Sequence, residues 1–107
     1  PAVVKWGIVT DVHYADADTE GTRVYRDGLD KIKAACRDFT SGGADFVVEL
    51  GDFKDTDISQ GCDNDPSPHC VNITVGFLRT IDAALAEGFQ GPRFHVLGNH
   101  DVDVLNQ

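Results

Sequence analysis

Two observations predict an α/β fold built on a parallel sheet. Short apolar runs rich in β-branched residues alternate with stretches whose apolar residues recur every three or four positions, giving the order strand, helix, strand, helix, strand. Each of the three runs then opens into a polar cluster: Asp11-Val12-His13, Gly51-Asp52 and Gly98-Asn99-His100-Asp101. Right-handed crossovers would make the strands parallel, and ligands of such sheets bind outside the carboxyl ends of the strands. The three clusters are therefore expected along one edge.

The first strand is expected over Val3–Thr10, nearly continuous in its apolar character, as in a strand covered on both faces. A helix follows over Thr22–Phe39, with Thr22 as N-cap and an apolar face of Tyr25, Leu29, Ile32, Cys36 and Phe39. Ser41-Gly42-Gly43 ends it. Phe46–Leu50 is the second strand. Residues 55–70 carry two prolines and no periodicity. Loops of that length are uncommon unless functional, which makes this one a candidate for substrate selection. The second helix is expected over Val71–Glu87, on Val75, Leu78, Ile81 and Leu85, with Gly88 stopping it. Arg93–Leu97, entered from Gly91-Pro92, is the third strand.

The strand-end residues carry chemistry. Asp11 and His13 are two apart and point the same way if the chain is still extended, offering a carboxylate and an imidazole to a divalent metal such as Zn, Fe or Mn. Asp52 adds a carboxylate able to bridge two metals. Asn99 offers a neutral oxygen, His100 an imidazole that can donate a proton, and Asp101 a carboxylate to orient or charge that imidazole. Gly98 allows a sharp turn or close approach of a ligand. Oxygen and nitrogen donors without thiolates are typical of hydrolytic sites, whereas structural zinc usually prefers cysteines.

Composition narrows the partners. Nine basic against eighteen acidic residues give a formal charge of −9, which disfavours non-specific nucleic-acid binding. No apolar run is long enough to span a membrane. The chain starts at Pro1, contains no Met and stops soon after its most informative motif, so a processed chain or a piece of a longer one is expected. Cys36 falls on the helical face as a small buried hydrophobe. Cys62 and Cys70 bracket a turn-rich segment, and both a disulfide and two free thiols fit that spacing. Asn72-Ile73-Thr74 is a glycosylation sequon, in keeping with export; a cytoplasmic location stays open.

Asp-x-His, Gly-Asp-x-x-Asp and Gly-Asn-His-Asp, each after an apolar strand and in this order, resemble the calcineurin-like metallophosphoesterase superfamily from Ile8 to Asp101. Within it, Asp11–Asp16 followed by Gly21–Arg26 is similar to the branch of manganese-dependent ADP-ribose/CDP-alcohol diphosphatases. Asp55 stands where purple acid phosphatases have a metal-binding Tyr, which argues against that branch. The resemblance implies a layered αββα sandwich, of which this chain would be the N-terminal βαβαβ half of a single domain, the C-terminal half being its missing partner. It implies two divalent metal ions, Asp11 and His13 on the first, Asp52 bridging, Asn99 on the second, and His100 free of metal to act on the phosphate. Two cations about 3.5–4 Å apart can clamp the attacking and leaving oxygens of an in-line displacement and acidify a bound water. The substrate would be a small-molecule phosphoester or nucleotide-type compound, split at a phosphomonoester, phosphodiester or pyrophosphate bond. The family completes its site with a lone His and a Gly-His-x-His segment further on; nothing of the kind follows Asp101. His95 reads as a packed core residue and His69 as solvent-exposed.

Two rivals belong to other classes. One is a non-catalytic scaffold or binding module on the same fold, inactive in this truncated form. The other is a redox or structural metal protein built on Cys62, His69 and Cys70.

Overall fold

The computed structural model describes residues 3–19, 21, 24–57, 60–62 and 67–102. Its elements are β1 (Trp6–Val9), α1 (Gly28–Ser41), β2 (Phe46–Glu49), α2 (Pro68–Gly88) and β3 (Arg93–His95), with a 3₁₀ turn over Tyr25–Asp27 leading into α1. The strands form one sheet in the order β1-β2-β3. Both pairings are parallel, with Ile8 beside Val48 and Val48 beside Phe94. This is the α/β arrangement expected, and it is consistent with the N-terminal half of a metallophosphoesterase fold. α1 begins at Gly28, with Asp27 in the N-cap position, rather than at the expected N-cap Thr22, which lies outside the described residues.

Sequential strand order with right-handed crossovers puts both helices on one face of the sheet. That face presents Gly7, Val9, Val47 and Glu49. The ring of Phe39, from α1, lies so close over Gly7 that a Cβ there would come within 2.6 Å of it. The helices meet at Gly88, where a Cβ would stand 2.6 Å from that of Cys36. Ile32, Cys36, Val47, Ile81 and Leu85 are buried between them. Each large aliphatic side chain there contributes about 1.5–3 kcal/mol.

The other face is open. Trp6 stacks beside Phe46 and Phe46 meets Phe94 edge to face, yet Trp6, Ile8 and Phe94 remain about half exposed. The continuous apolar character of β1 was expected to mean cover on both faces; among the described residues one face only is covered.

α2 begins three residues earlier than its pattern suggested. The Ser67 hydroxyl accepts the amide hydrogen of Cys70, and Pro68 occupies the first turn, where a missing N–H costs nothing. The buried stripe is Cys70, Thr74, Phe77, Ile81, Ala84 and Leu85. Val75 and Leu78, expected on it, are half-buried. Thr74 hid the true stripe because a polar residue occupies an inward position. Among the described residues, no helix is long and apolar enough to cross a membrane.

Cys62 and Cys70 are joined by a disulfide, and Cys36 is free and buried. Neither sulfur of the pair can then act as a thiolate, so a metal centre on Cys62, His69 and Cys70 is ruled out in this state. Opening the bridge releases a loop with a sequence separation of 8. Chain entropy assigns such a loop about 2.5 kcal/mol. Urea titrations of the oxidised chain and a Cys62→Ser/Cys70→Ser variant should differ by that amount.

Candidate metal centre

Beyond the ends of the strands the chain continues as three loops locked together by backbone hydrogen bonds. Asp11, His13 and Tyr14 donate their amides to the carbonyls of Gly51, Asp52 and Phe53, and Asp55 donates back to Tyr14. The first two polar clusters are thereby zipped side by side. The third is tied to the second by Asp101, whose carboxylate accepts amide hydrogens from Asp52 (2.7 Å), Phe53 (2.7 Å), Lys54 (3.4 Å) and Gly98 (2.8 Å).

Asp11, His13 and Asp52 all have positive φ, at 55°, 49° and 52°. Left-handed backbone is uncommon for residues with a Cβ and collects at functional sites. The chain between Asp11 and His13 is therefore not extended, as had been expected, yet their side chains still converge: His13 Nε2 lies 3.5 Å from Asp11 Oδ1. Gly51 (φ 102°) and Gly98 let the second and third loops touch. A Cβ on Gly98 would fall 2.2 Å from Asp52 Oδ1, and one on Gly51 would fall 2.7 Å from the Gly98 nitrogen. Glycine is needed at 98 to make room for the Asp52 carboxylate.

That carboxylate accepts the His100 amide through Oδ1 and turns Oδ2 towards His13 Nε2, 3.8 Å away. His13 Nδ1 sits 3.0 Å from Asp55 Oδ2. An ionised carboxylate can only accept, so Asp55 favours the tautomer with the hydrogen on Nδ1, whose Nε2 lone pair would face Asp11 and Asp52. A lone pair between two carboxylates is a place for a cation. The His100 ring stands edge-on to that of His13 at a centroid distance of 4.9 Å. His13, Asp52 and His100 can each offer one ligand atom, all within 4.8 Å of one another. The donor set fits a borderline divalent metal. The Asp11 carboxylate, held below its ordinary range chiefly by the Thr10 hydroxyl, is also available.

The predicted residues are thus distributed as follows. Asp11, His13, Asp52 and His100 come together. His100 stands among the potential donors, whereas the resemblance kept it apart from the metal. Asn99 is exposed at the turn beside it. The carboxylate beside the His100 imidazole is that of Asp55, with Oδ1 3.5 Å from Nδ1, while Asp101 serves the loop amides. Arg23, within the Gly21–Arg26 segment of the resemblance, lies outside the described residues.

Sequence reasoning passed over Glu49 and left Lys54 and Asp55 undecided between support of the ligands and loop surface. Asp55 is buried and steers His13. Lys54 is fully buried, and its ammonium donates to the His100 carbonyl. Glu49, at the end of β2, is 1% exposed, accepts the Gly51 amide at 2.7 Å and lies 3.2 Å from His95 Nδ1. A signal for Glu49 existed: it shares the inward parity of Val47, and a charge at such a position needs a reason. His95, expected in the core, ends β3 over the Phe53 ring, with Nε2 3.7 Å from Asp82 and about a third of its side chain exposed. It stands in register with Glu49 and lies between that buried carboxylate and the exposed Asp82.

Burial pushes the Glu49 carboxyl above its ordinary range, against the lowering effect of His95 and the Gly51 amide. For an acid raised by folding, stability is retained below the unfolded value and declines as pH climbs through the folded one. Glu49→Gln, which can still accept from Gly51, should flatten that decline. Glu49→Ala leaves a buried amide unpaired and should cost about 1–3 kcal/mol at every pH. Thermal melts from pH 4 to pH 9 separate the two; parallel curves for parent and Glu49→Gln would exclude Glu49 as the source.

Comparison with known proteins agrees with this geometry. The sequence profile described as calcineurin-like phosphoesterase matches residues 4–107. Among solved structures the chain is similar to a dimetal phosphatase from Danio rerio, with 26% identity and a TM-score of 0.74, over 96% of this chain and 31% of that one. The chain therefore spans about a third of the length of that relative. No curated protein matches it.

Proposed function

The chain belongs to the calcineurin-like phosphoesterase family, and from that premise we propose that the protein is a metal-dependent hydrolase of a small-molecule phosphoester or nucleotide-type substrate. The observation that carries this reading is the convergence of His13, Asp52 and His100 within 4.8 Å, from three separate strand ends. Asp11, His13, Asp52 and Asn99 would hold two divalent cations, with His100 at the same centre. Bound there, such ions supply Lewis acidity towards a phosphoryl oxygen and lower the pKa of water.

The chain's own groups do the rest. Asp55 fixes the His13 tautomer, keeping Nε2 turned inward. His100, its amide anchored on Asp52 and its ring beside Asp55, is placed to donate a proton to a departing oxygen or to a phosphoryl oxygen gaining charge. The tripartite loop lock holds these groups without rearrangement, as catalysis by positioning requires.

The bond cleaved is a phosphomonoester, phosphodiester or pyrophosphate. The likeness of Asp11–Asp16 and Gly21–Arg26 to the ADP-ribose/CDP-alcohol diphosphatase branch favours the pyrophosphate, with manganese. The test is hydrolysis of an aryl phosphomonoester, an aryl phosphodiester and a nucleotide diphosphate ester by the chain reconstituted with Mn, Zn or Fe. Metal-dependent turnover abolished by His100→Ala supports the reading. Metal retention with no turnover of any of the three favours the binding-module alternative for this chain.

A further inference from the structure

The sequon Asn72-Ile73-Thr74 lies in the second turn of α2, where the structure divides its two polar residues between opposite environments. Asn72 is exposed. Thr74 is fully buried in the stripe between Cys70 and Phe77, and among the described residues its hydroxyl has no hydrogen-bond partner. A buried helical threonine ordinarily donates back to the carbonyl four residues earlier. Left unpaired, the hydroxyl destabilises the fold. Valine, of nearly the same shape, would fill the site without that penalty. Packing therefore does not account for threonine at position 74.

The disulfide supplies an independent observation. Cys62–Cys70 ends two residues before Asn72, and such bridges persist in oxidising compartments on the secretory route. That route is also where asparagine is glycosylated. Beside Asn72 lies a hollow of about 430 Å³, bordered also by Gln60, Gly76 and Thr80, so the surface there has room for a sugar. We propose that Asn72 carries an N-linked oligosaccharide and that Thr74 is retained for its attachment rather than for the fold. This goes beyond the phosphoesterase reading and does not depend on it.

In the transfer, Asn72 Nδ2 displaces pyrophosphate from C1 of a lipid-pyrophosphate-linked oligosaccharide. The N–C1 bond forms as the C1–O bond breaks, the lipid pyrophosphate leaves with the electron pair, and Nδ2 gives up one proton. Residues two apart on a helix do not face each other, so Asn72 and Thr74 cannot be read together once α2 is formed. Transfer accordingly precedes docking of α2 on the core. Afterwards the hydroxyl is buried and the glycan stays outside.

The experiment is mass spectrometry of the whole chain secreted from a eukaryotic host, before and after peptide-N-glycosidase treatment in ¹⁸O-water. The expected result is a glycan mass lost on treatment, with Asn72 converted to ¹⁸O-labelled aspartate. Asn72→Gln and Thr74→Val should both abolish the glycan, and Thr74→Ser should keep it. Thr74→Val should melt no lower than the enzymatically deglycosylated parent. An unmodified Asn72 in secreted chain with the disulfide formed would overturn the proposal. So would a Thr74→Val chain that unfolds or melts well below that parent, since the hydroxyl would then be serving the fold.

Discussion

Replacing Asp52 by Asn will strip the chain of divalent metal and leave it folded. Asp52 Oδ1 accepts the His100 amide, and the asparagine carbonyl can keep that bond. The other oxygen, 3.8 Å from His13 Nε2, becomes an amide nitrogen with no lone pair to offer a cation. Changing a group behind the ligands typically costs 10–100-fold in metal affinity; removing the central carboxylate should exceed about 100-fold. Stability should move the opposite way. Residue 52 sits at φ 52°, which asparagine tolerates well, and the substitution removes one charge from a group that includes Asp11 and Asp55. Without metal, the variant should match or exceed the parent in its urea midpoint, as expected where a binding site is held at some cost to the fold. Metal content after dialysis and reconstitution with Mn, Zn or Fe, measured beside urea titrations, decides the matter. A variant that keeps its metal, or a folded parent that takes up none, would remove Asp52 from the centre of the site.

The positions of that centre were legible because the three clusters end three strands, and strand ends of a parallel sheet share an edge. Residue type alone identified Asp11, His13 and Asp52 as potential metal donors and His100 as a proton donor. What it could not provide was the division of labour among the carboxylates. Asp101 adjoins His100 in sequence and was expected to orient it; the turn over residues 98–101 instead directs its side chain to the amides of the second loop. Asp55, 45 positions from His100, comes to its ring because the first two loops run in parallel beyond the strands, an alignment visible only once Tyr14 pairs with Lys54. Adjacency in sequence is a poor guide to facing in a turn. The helices show a similar limit: Pro68 reads as a breaker within residues 55–70, although at the first turn it is compatible with a helix. Thr74 was not counted on the apolar face of α2, and only packing reveals it as an inward position.

Asp101→Ala should be the most damaging single change to the fold. The carboxylate accepts three short backbone hydrogen bonds and one longer one, is 6% exposed, and ties the third loop to the second. Truncation leaves those amides without their acceptor in partly or wholly buried surroundings. At about 1–3 kcal/mol per unpaired group, partly offset by water entering the gap, the loss should be about 3–6 kcal/mol. That is a large part of the 5–15 kcal/mol typical of a whole domain. Asp101→Asn should fall between, because one of its two atoms becomes a donor facing the Asp52 and Gly98 amides or the Phe53 and Lys54 amides. Hydrogen exchange separates this account from the alternative that Asp101 serves mainly to charge His100. If the carboxylate is the clasp, the amides of Asp52, Phe53 and Gly98 lose protection in Asp101→Asn before the helices do, while those of Ile81 and Leu85 in α2 stay protected. Protection unchanged at the three loop amides, with hydrolysis lost, would assign Asp101 to the chemistry instead. The first outcome has a further consequence: Asp52 is positioned from its backbone side by Asp101 and from its side-chain side by the His100 amide. Loosening the clasp should therefore weaken metal binding as well, although Asp101 contributes no ligand atom.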